Sequence, residues 1–191
     1  MSTTTRFTSR DLEAFPDPID GTRYEIIDGE LIVSRQPHWE HQATSGVFYA
    51  SLYNWNRRTR LGMANVVPGV ILREDQDVVP DVVWVSRERL EQNLEPDGKL
   101  HGAPNLAIEV LSPGSINEQR DRELKLKLYS RIGVDEYWIA DWRARTVEVY
   151  RRTEGELRHV TTLSGDEVLT SPLLPGFALP LGDLWVPYRD E

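Results

Sequence analysis

Apolar residues fall in short β-branched runs through the middle of the chain and at helical spacing on either side of them. In RYEIIDGELIVS, residues 23–34, β-formers flank Asp28-Gly29, a pair suited to the positive φ angles of a tight turn, and the segment predicts a hairpin. From about His38 to Arg58, Val47, Ala50, Ser51 and Asn54 recur at helical spacing while Leu52 and Trp55 widen the apolar side, which predicts a long helix. MANVVPGVILR and DVVPDVVWVSRERL, punctuated by Pro68-Gly69 and Pro80, predict two further strands. A polar, Gly/Pro-rich loop over 91–104 leads into a strand over 105–111, and after Ser112-Pro113-Gly114 a charged amphipathic helix spans 117–132. Two more strands follow in VDEYWIADWRARTVEVYRR, with a turn near Arg143.

At the start, Thr8 and Asp11 are spaced as a capping box for a short helix over 9–15, which FPDPIDG stops. At the end, GDEVLTSPLLPGFALPLGDLW sets apolar anchors among turn residues and reads as a covering arm. The expectation is one domain over 1–191, with a core over about 22–152 and an arm over about 153–191. The class is α/β (α+β mixed), a central mixed sheet with helices on its faces and an N-terminal hairpin.

Composition narrows the function. The absence of Cys excludes a disulfide framework and thiolate chemistry. No apolar run approaches the roughly 20 residues needed to span a bilayer, and MSTTTRFTSRDLEAF has no hydrophobic signal core, so a cytoplasmic protein with no membrane partner is expected. A net charge of -9 argues against a protein that coats nucleic acid through phosphate neutralisation. Any nucleic-acid role must then use a local basic patch or a metal-filled acidic cleft.

The candidate chemistry starts from Glu109, in the middle of the apolar run NLAIEVLSP. A buried, unpaired carboxylate costs several kcal/mol or keeps its proton, so Glu109 requires a partner such as a cation. Alternation puts Ala107, Glu109 and Leu111 on one strand face, opposite Leu106, Ile108 and Val110. Asp81 sits at the start of the preceding run, DVVWV, and the two carboxylates converge if these strands are neighbours. Two converging carboxylates suit Mg²⁺, which takes oxygen ligands and keeps several waters. In the helix over 117–132, Leu124, Leu128, Tyr129 and Ile132 span one arc that also contains Lys125, so this lysine is expected to face the sheet and reach Glu109. There it would orient the attacking water or offset charge growing on a phosphate.

These residues bring a resemblance with them. YEIIDGEL, the following helix with His41, PDVVWV, GAPNLAIEVLSP, the Asp121, Lys125, Tyr129 spacing, GVDEYWIAD and LPGFALPL resemble the Uma-type endonuclease family, a bacterial branch of the PD-(D/E)XK nuclease superfamily. The likeness runs from about residue 8 to 184 and implies a restriction-endonuclease-like core with Mg²⁺-dependent cleavage of nucleic acid, DNA above all, Mn²⁺ being a substitute. Pro80-Asp81 matches the PD element and Glu109 the acidic position, both as metal ligands. The motif lysine is displaced: Leu111 stands two residues after Glu109, and the helix supplies Lys125 instead.

Each candidate has a plainer reading. Asp81 alone is also an ordinary strand-initiating acid, and Asp121–Lys125 an i,i+4 helix pair worth about 0.2–0.5 kcal/mol. Glu25 is a hairpin residue or a further acid of the cleft; His41 is a packing residue or a phosphate donor; Asp121 braces Lys125. Tyr129 reads as core and Asp141 as the cap of a turn. The clusters NRRTR at 56–60 and RAR at 143–145 are solvated surface or backbone contacts. Against the endonuclease stand a nuclease-fold module that binds nucleic acid or protein without cutting, and a phosphodiesterase for small nucleotides. A homodimer is expected because two-fold pairs are the commonest oligomer.

Overall fold

The computed structural model describes residues 6–15 and 22–185, apart from the side chains at 115 and 116. Helix α1 (Ser9–Leu12) opens with the Thr8/Asp11 capping box, the Thr8 amide donating to Asp11 at 2.7 Å. It is shorter than expected, and residues 16–21, the expected stop, lie outside the described residues. Strands β1 (Arg23–Ile27) and β2 (Glu30–Ser34) form the hairpin, with φ of 51° at Asp28 and 76° at Gly29, the left-handed pair that a two-residue turn of matching twist requires.

Helix α2 (Trp39–Thr59) follows. Its buried face is His41, Thr44, Ser45, Phe48, Leu52 and Trp55, whereas Ala50 and Asn54 are exposed. The expected stripe was therefore rotated, because three small or polar residues do the packing on one side of Phe48.

The segment expected to hold two strands holds four: β3 (Gly62–Val66), β4 (Val70–Arg73), β5 (Gln76–Val78) and β6 (Val82–Ser86). Pro68-Gly69 and Pro80 divide it, since proline cannot donate to a ladder. Ser86 caps helix α3 (Arg87–Asn93), accepting from the Arg89 amide, and β7 (Leu106–Val110) comes after the loop.

The next helix has three parts: α4 (Ser115–Gln119), a π-helical stretch (Arg120–Lys125) and α5 (Leu126–Ile132). The chain continues through β8 (Glu136–Asp141), β9 (Thr146–Thr153), β10 (Glu156–Ser164), β11 (Val168–Thr170), β12 (Ala178–Pro180) and α6 (Leu181–Leu184). Strand β10 pairs with β9, so the sheet extends past residue 152, and the covering arm begins only after β10.

Six strands make the central sheet in the order β10-β9-β8-β7-β6-β3, mixed because β7 and β8 run parallel and the other pairs antiparallel. The parallel pair needs a crossover, which the three-part helix provides. Four strands, β2-β1-β5-β4, form a second sheet that carries the hairpin. On one face of the central sheet, Leu106, Ile108 and Val110 pack with Phe48, Leu52 and Trp55 of α2 and with Leu169, Phe177 and Leu184 of the arm. On the other, Ala107 and Leu111 pack with Leu128, Tyr129, Tyr137 and Ile139. Glu109 points to this second face, beneath the π-helical stretch.

Candidate active site

The β6–β7 register aligns Val82 with Ile108, which sets Asp81 beside the end of β7. The Val110 amide donates to Asp81 Oδ2 at 2.9 Å. The neighbouring strands thus bring Asp81 and Glu109 to the wall of one polar cavity of about 30 Å³, which Glu25, His41, Asp121 and Lys125 also line. That volume holds about one water molecule or a small ion with part of its shell.

Strand β1 delivers Arg23 and Glu25 to the same side, two residues apart. Arg23 Nη1 lies 2.7 Å from Asp81 Oδ1, and His41 Nε2, from the first turn of α2, lies 3.1 Å from Asp81 Oδ2. Glu25 Oε1 accepts from the Val79 amide at 2.9 Å and lies 3.0 Å from Lys125 Nζ. Lys125 donates to Glu109 Oε1 at 2.9 Å, as does the Tyr129 hydroxyl at 2.9 Å, and Asp121 Oδ1 is 3.9 Å from the ammonium. Arg120 bridges Asp121 Oδ1, 3.0 Å away, to the Ser34 hydroxyl at 2.8 Å, and the Tyr137 hydroxyl donates to the Asp121 carbonyl.

The π-helical stretch explains a difference from the expected helix wheel. A wider turn shifts the phase, so Asp121 and Lys125 are buried together while Leu124, expected on the apolar arc, is 43% exposed. Stretches of this kind concentrate at functional sites.

Burial works against ionisation at every acid of the cluster. At Asp81 the His41 bond, the His41 and Arg23 charges and the Val110 amide outweigh it, holding the carboxyl well below the usual carboxylate range. At Glu109 burial prevails over Lys125, and with the negative charges of Asp81, Asp121 and Glu25 it pushes the pKa up to about 8. Asp121 is also raised, chiefly by burial. Lys125 feels the reverse: burial favours the neutral amine, but Glu109, Glu25 and Asp121 raise its pKa and keep it charged.

Four acids, Glu25, Asp81, Glu109 and Asp121, thus face three permanent cations, Arg23, Arg120 and Lys125. These four acids outnumber the three permanent cations by one, a difference that the His41 charge beside Asp81, a proton on Glu109 or an added cation can meet. Among the described residues no three His, Cys, Asp or Glu side chains form a ready metal cage. Mg²⁺ commonly needs only one or two carboxylates, with waters and substrate oxygens completing its shell. The all-oxygen donors and the cavity therefore fit a hard divalent ion.

Sequence reasoning missed Arg23 and Arg120, and it took Tyr129 for core alone, whereas its hydroxyl holds Glu109. Neither basic cluster lines the cavity: Arg57 lies over Tyr53, and Arg143 pairs with Glu118 and Asp141. Asp141 accepts from the Arg143 and Ala144 amides and caps the β8–β9 turn.

The profile described as "Uma2: Putative restriction endonuclease" matches residues 10–182. The chain belongs to the Uma2 family. Among solved structures, a crystal structure at 1.96 Å described as "a putative nuclease belonging to DUF820 from Anabaena variabilis ATCC 29413" is similar with a TM-score of 0.74. At 20% identity, covering 93% of this chain and 97% of that one, it shows that the two chains share a fold. No protein of curated function matches. Among the described residues no helix is long and apolar enough to cross a membrane.

Proposed function

We propose that this Uma2 protein is a Mg²⁺-dependent endonuclease that hydrolyses phosphodiester bonds in DNA. The observation that carries the reading is the meeting of Asp81, Glu109 and Lys125 at one buried cavity. The family's description supports the reaction class. Asp81 and Glu109 would hold the ion, which supplies a Lewis acid for the phosphoryl oxygen and acidifies water, with Mn²⁺ as a substitute. Lys125, steadied by Glu25 and Asp121, orients water and offsets charge developing on the phosphate. His41 and Arg23 keep Asp81 ionised and aimed into the cavity, and Tyr129 fixes the orientation of the Glu109 carboxyl. A homodimer and a cytoplasmic setting belong to the same proposal; a single-chain mass by light scattering at micromolar concentration would remove the first.

A second reading has its own observation. Both Asp81 oxygens already contact protein donors, Arg23 on one and His41 with the Val110 amide on the other. A cluster neutralised in this way suits a nuclease-fold module that binds nucleic acid or a protein without cutting. Calorimetric titration of Mg²⁺ and Mn²⁺ into wild type and Glu109→Ala, with plasmid and single-stranded DNA incubated in parallel, decides between them. Metal binding lost in the variant and metal-dependent nicking by wild type are expected. Absence of both in the wild type would sink the endonuclease and favour the binding module.

A further inference from the structure

The rim of the cavity differs in character from its floor. Asp81, Glu109 and Lys125 are each no more than 3% exposed and the cavity holds about one water molecule, so a scissile phosphate meets them from the cavity's mouth. A net charge of -9 gives this chain little general attraction for a phosphate backbone, so affinity must come from another source at the point of entry.

The segment joining β2 to α2 offers one. Pro37 and Arg35 line the cavity, and the exposed Arg35 makes no ion pair among the described residues. Two residues past Pro37, Trp39 is 74% exposed, the most exposed large apolar side chain among the described residues. The exposed ring of His38 lies 6.1 Å from that of Trp142, which donates to the Leu111 carbonyl next to Ser112 of the cavity wall. The mouth therefore carries a guanidinium with no ion pair among the described residues, and the chain next to its lining residues Pro37 and Ser112 carries exposed aromatic faces. Such faces stack on bases whatever their sequence, but only on bases that are not already stacked in a duplex.

We infer that this rim is a platform for unpaired bases, Trp39 stacking on a base while Arg35 holds an adjoining phosphate, so that the preferred nucleic acid is single-stranded or locally unpaired. The inference rests on the nuclease reading for its substrate and adds the form of that substrate.

The test is binding without metal. A mixed-sequence single-stranded oligonucleotide and the same sequence as a blunt duplex are titrated in EDTA into wild type, Trp39→Ala, Trp39→Phe and Arg35→Ala, with intrinsic fluorescence and anisotropy as readouts. Wild type should bind the single strand at least several-fold more tightly than the duplex. Trp39→Ala should weaken the single strand roughly tenfold or more, Trp39→Phe should retain most of the affinity, and Arg35→Ala should weaken both forms and lower the salt dependence. Tighter duplex binding, or single-strand binding unchanged in Trp39→Ala, overturns the inference. Cleavage with Mn²⁺ is assayed separately. Trp39-dependent strand binding by a protein that never cuts leaves the rim standing and the endonuclease fallen, and cutting without that dependence does the reverse.

Discussion

Lys125 Nζ sits between two carboxylates, 2.9 Å from Glu109 Oε1 and 3.0 Å from Glu25 Oε1, and all three side chains are buried. Removing one partner of a buried charge group leaves the rest uncompensated, at a cost of about 3–5 kcal/mol. Lys125→Met should therefore lose stability of that order near neutral pH and recover part of it on acidification, as the orphaned acids take up protons. Glu109→Gln keeps the shape and a hydrogen-bond acceptor for Tyr129, so it should cost much less. Urea unfolding at pH 5 and 7.5 measures both. Equal losses in the two variants would show that Lys125 is not the group that balances the cluster.

The strand faces were legible because side chains alternate strictly: one residue, Glu109, fixed which side of β7 held the buried polar cluster. The displaced lysine was legible from its place among Leu128, Tyr129 and Ile132. Leu124 was not, because a π-helical turn changes the phase and no residue type announces it. In α2, the polar side chains of His41, Thr44 and Ser45 are buried, and polarity concealed that face. Arg23 and Arg120 reach the site from separate strands and helices. Such pairings arise from tertiary packing, which a pattern within one segment does not encode. Strand β10 has only Leu157 buried, so it offers little alternation to read.

Glu109 gives the site a pH dependence whose sign follows from its raised pKa. The ordinary value is 4.5 and the folded one about 8, so between these the folded state binds more protons than the unfolded one. Stability from this group is greatest in acid and falls as pH rises through that window. A metal ion must displace the same proton, so apparent Mn²⁺ affinity should climb up to about tenfold per pH unit from pH 5.5 to 7.5 and level off above 8. Calorimetry in buffers of different ionisation enthalpy should detect close to one proton released near pH 6.5. Affinity independent of pH would place the ion away from Glu109.

His41 acts through Asp81. Its ring nitrogen and charge help hold the Asp81 carboxyl well below its ordinary range, so His41→Ala should raise that pKa, which NMR titration of the Asp81 carboxyl would read directly. Activity near neutrality should fall about 10–100-fold, the usual effect of losing a residue that positions a metal ligand. His41→Gln can still donate to Asp81 and should restore part of the rate. An Asp81 titration that stays in place would assign His41 to packing alone.

Val67 is the one β-branched residue among the described residues with positive φ, at 50°, a conformation that costs such side chains about 1–3 kcal/mol. Its amide donates to the Asp81 carbonyl at 3.0 Å, so the strained residue fixes the backbone that carries the acid. Val67→Gly removes the steric cost but makes the unfolded chain more flexible, by about 0.4–1 kcal/mol. The net result should be a gain of up to about 1–2 kcal/mol in stability. The backbone at Asp81 would then be freer to shift, and cleavage should drop severalfold even as the melting temperature rises. A variant that melts lower would show that Val67 contributes through its side chain rather than through strain, and unchanged cleavage would separate the turn from the site.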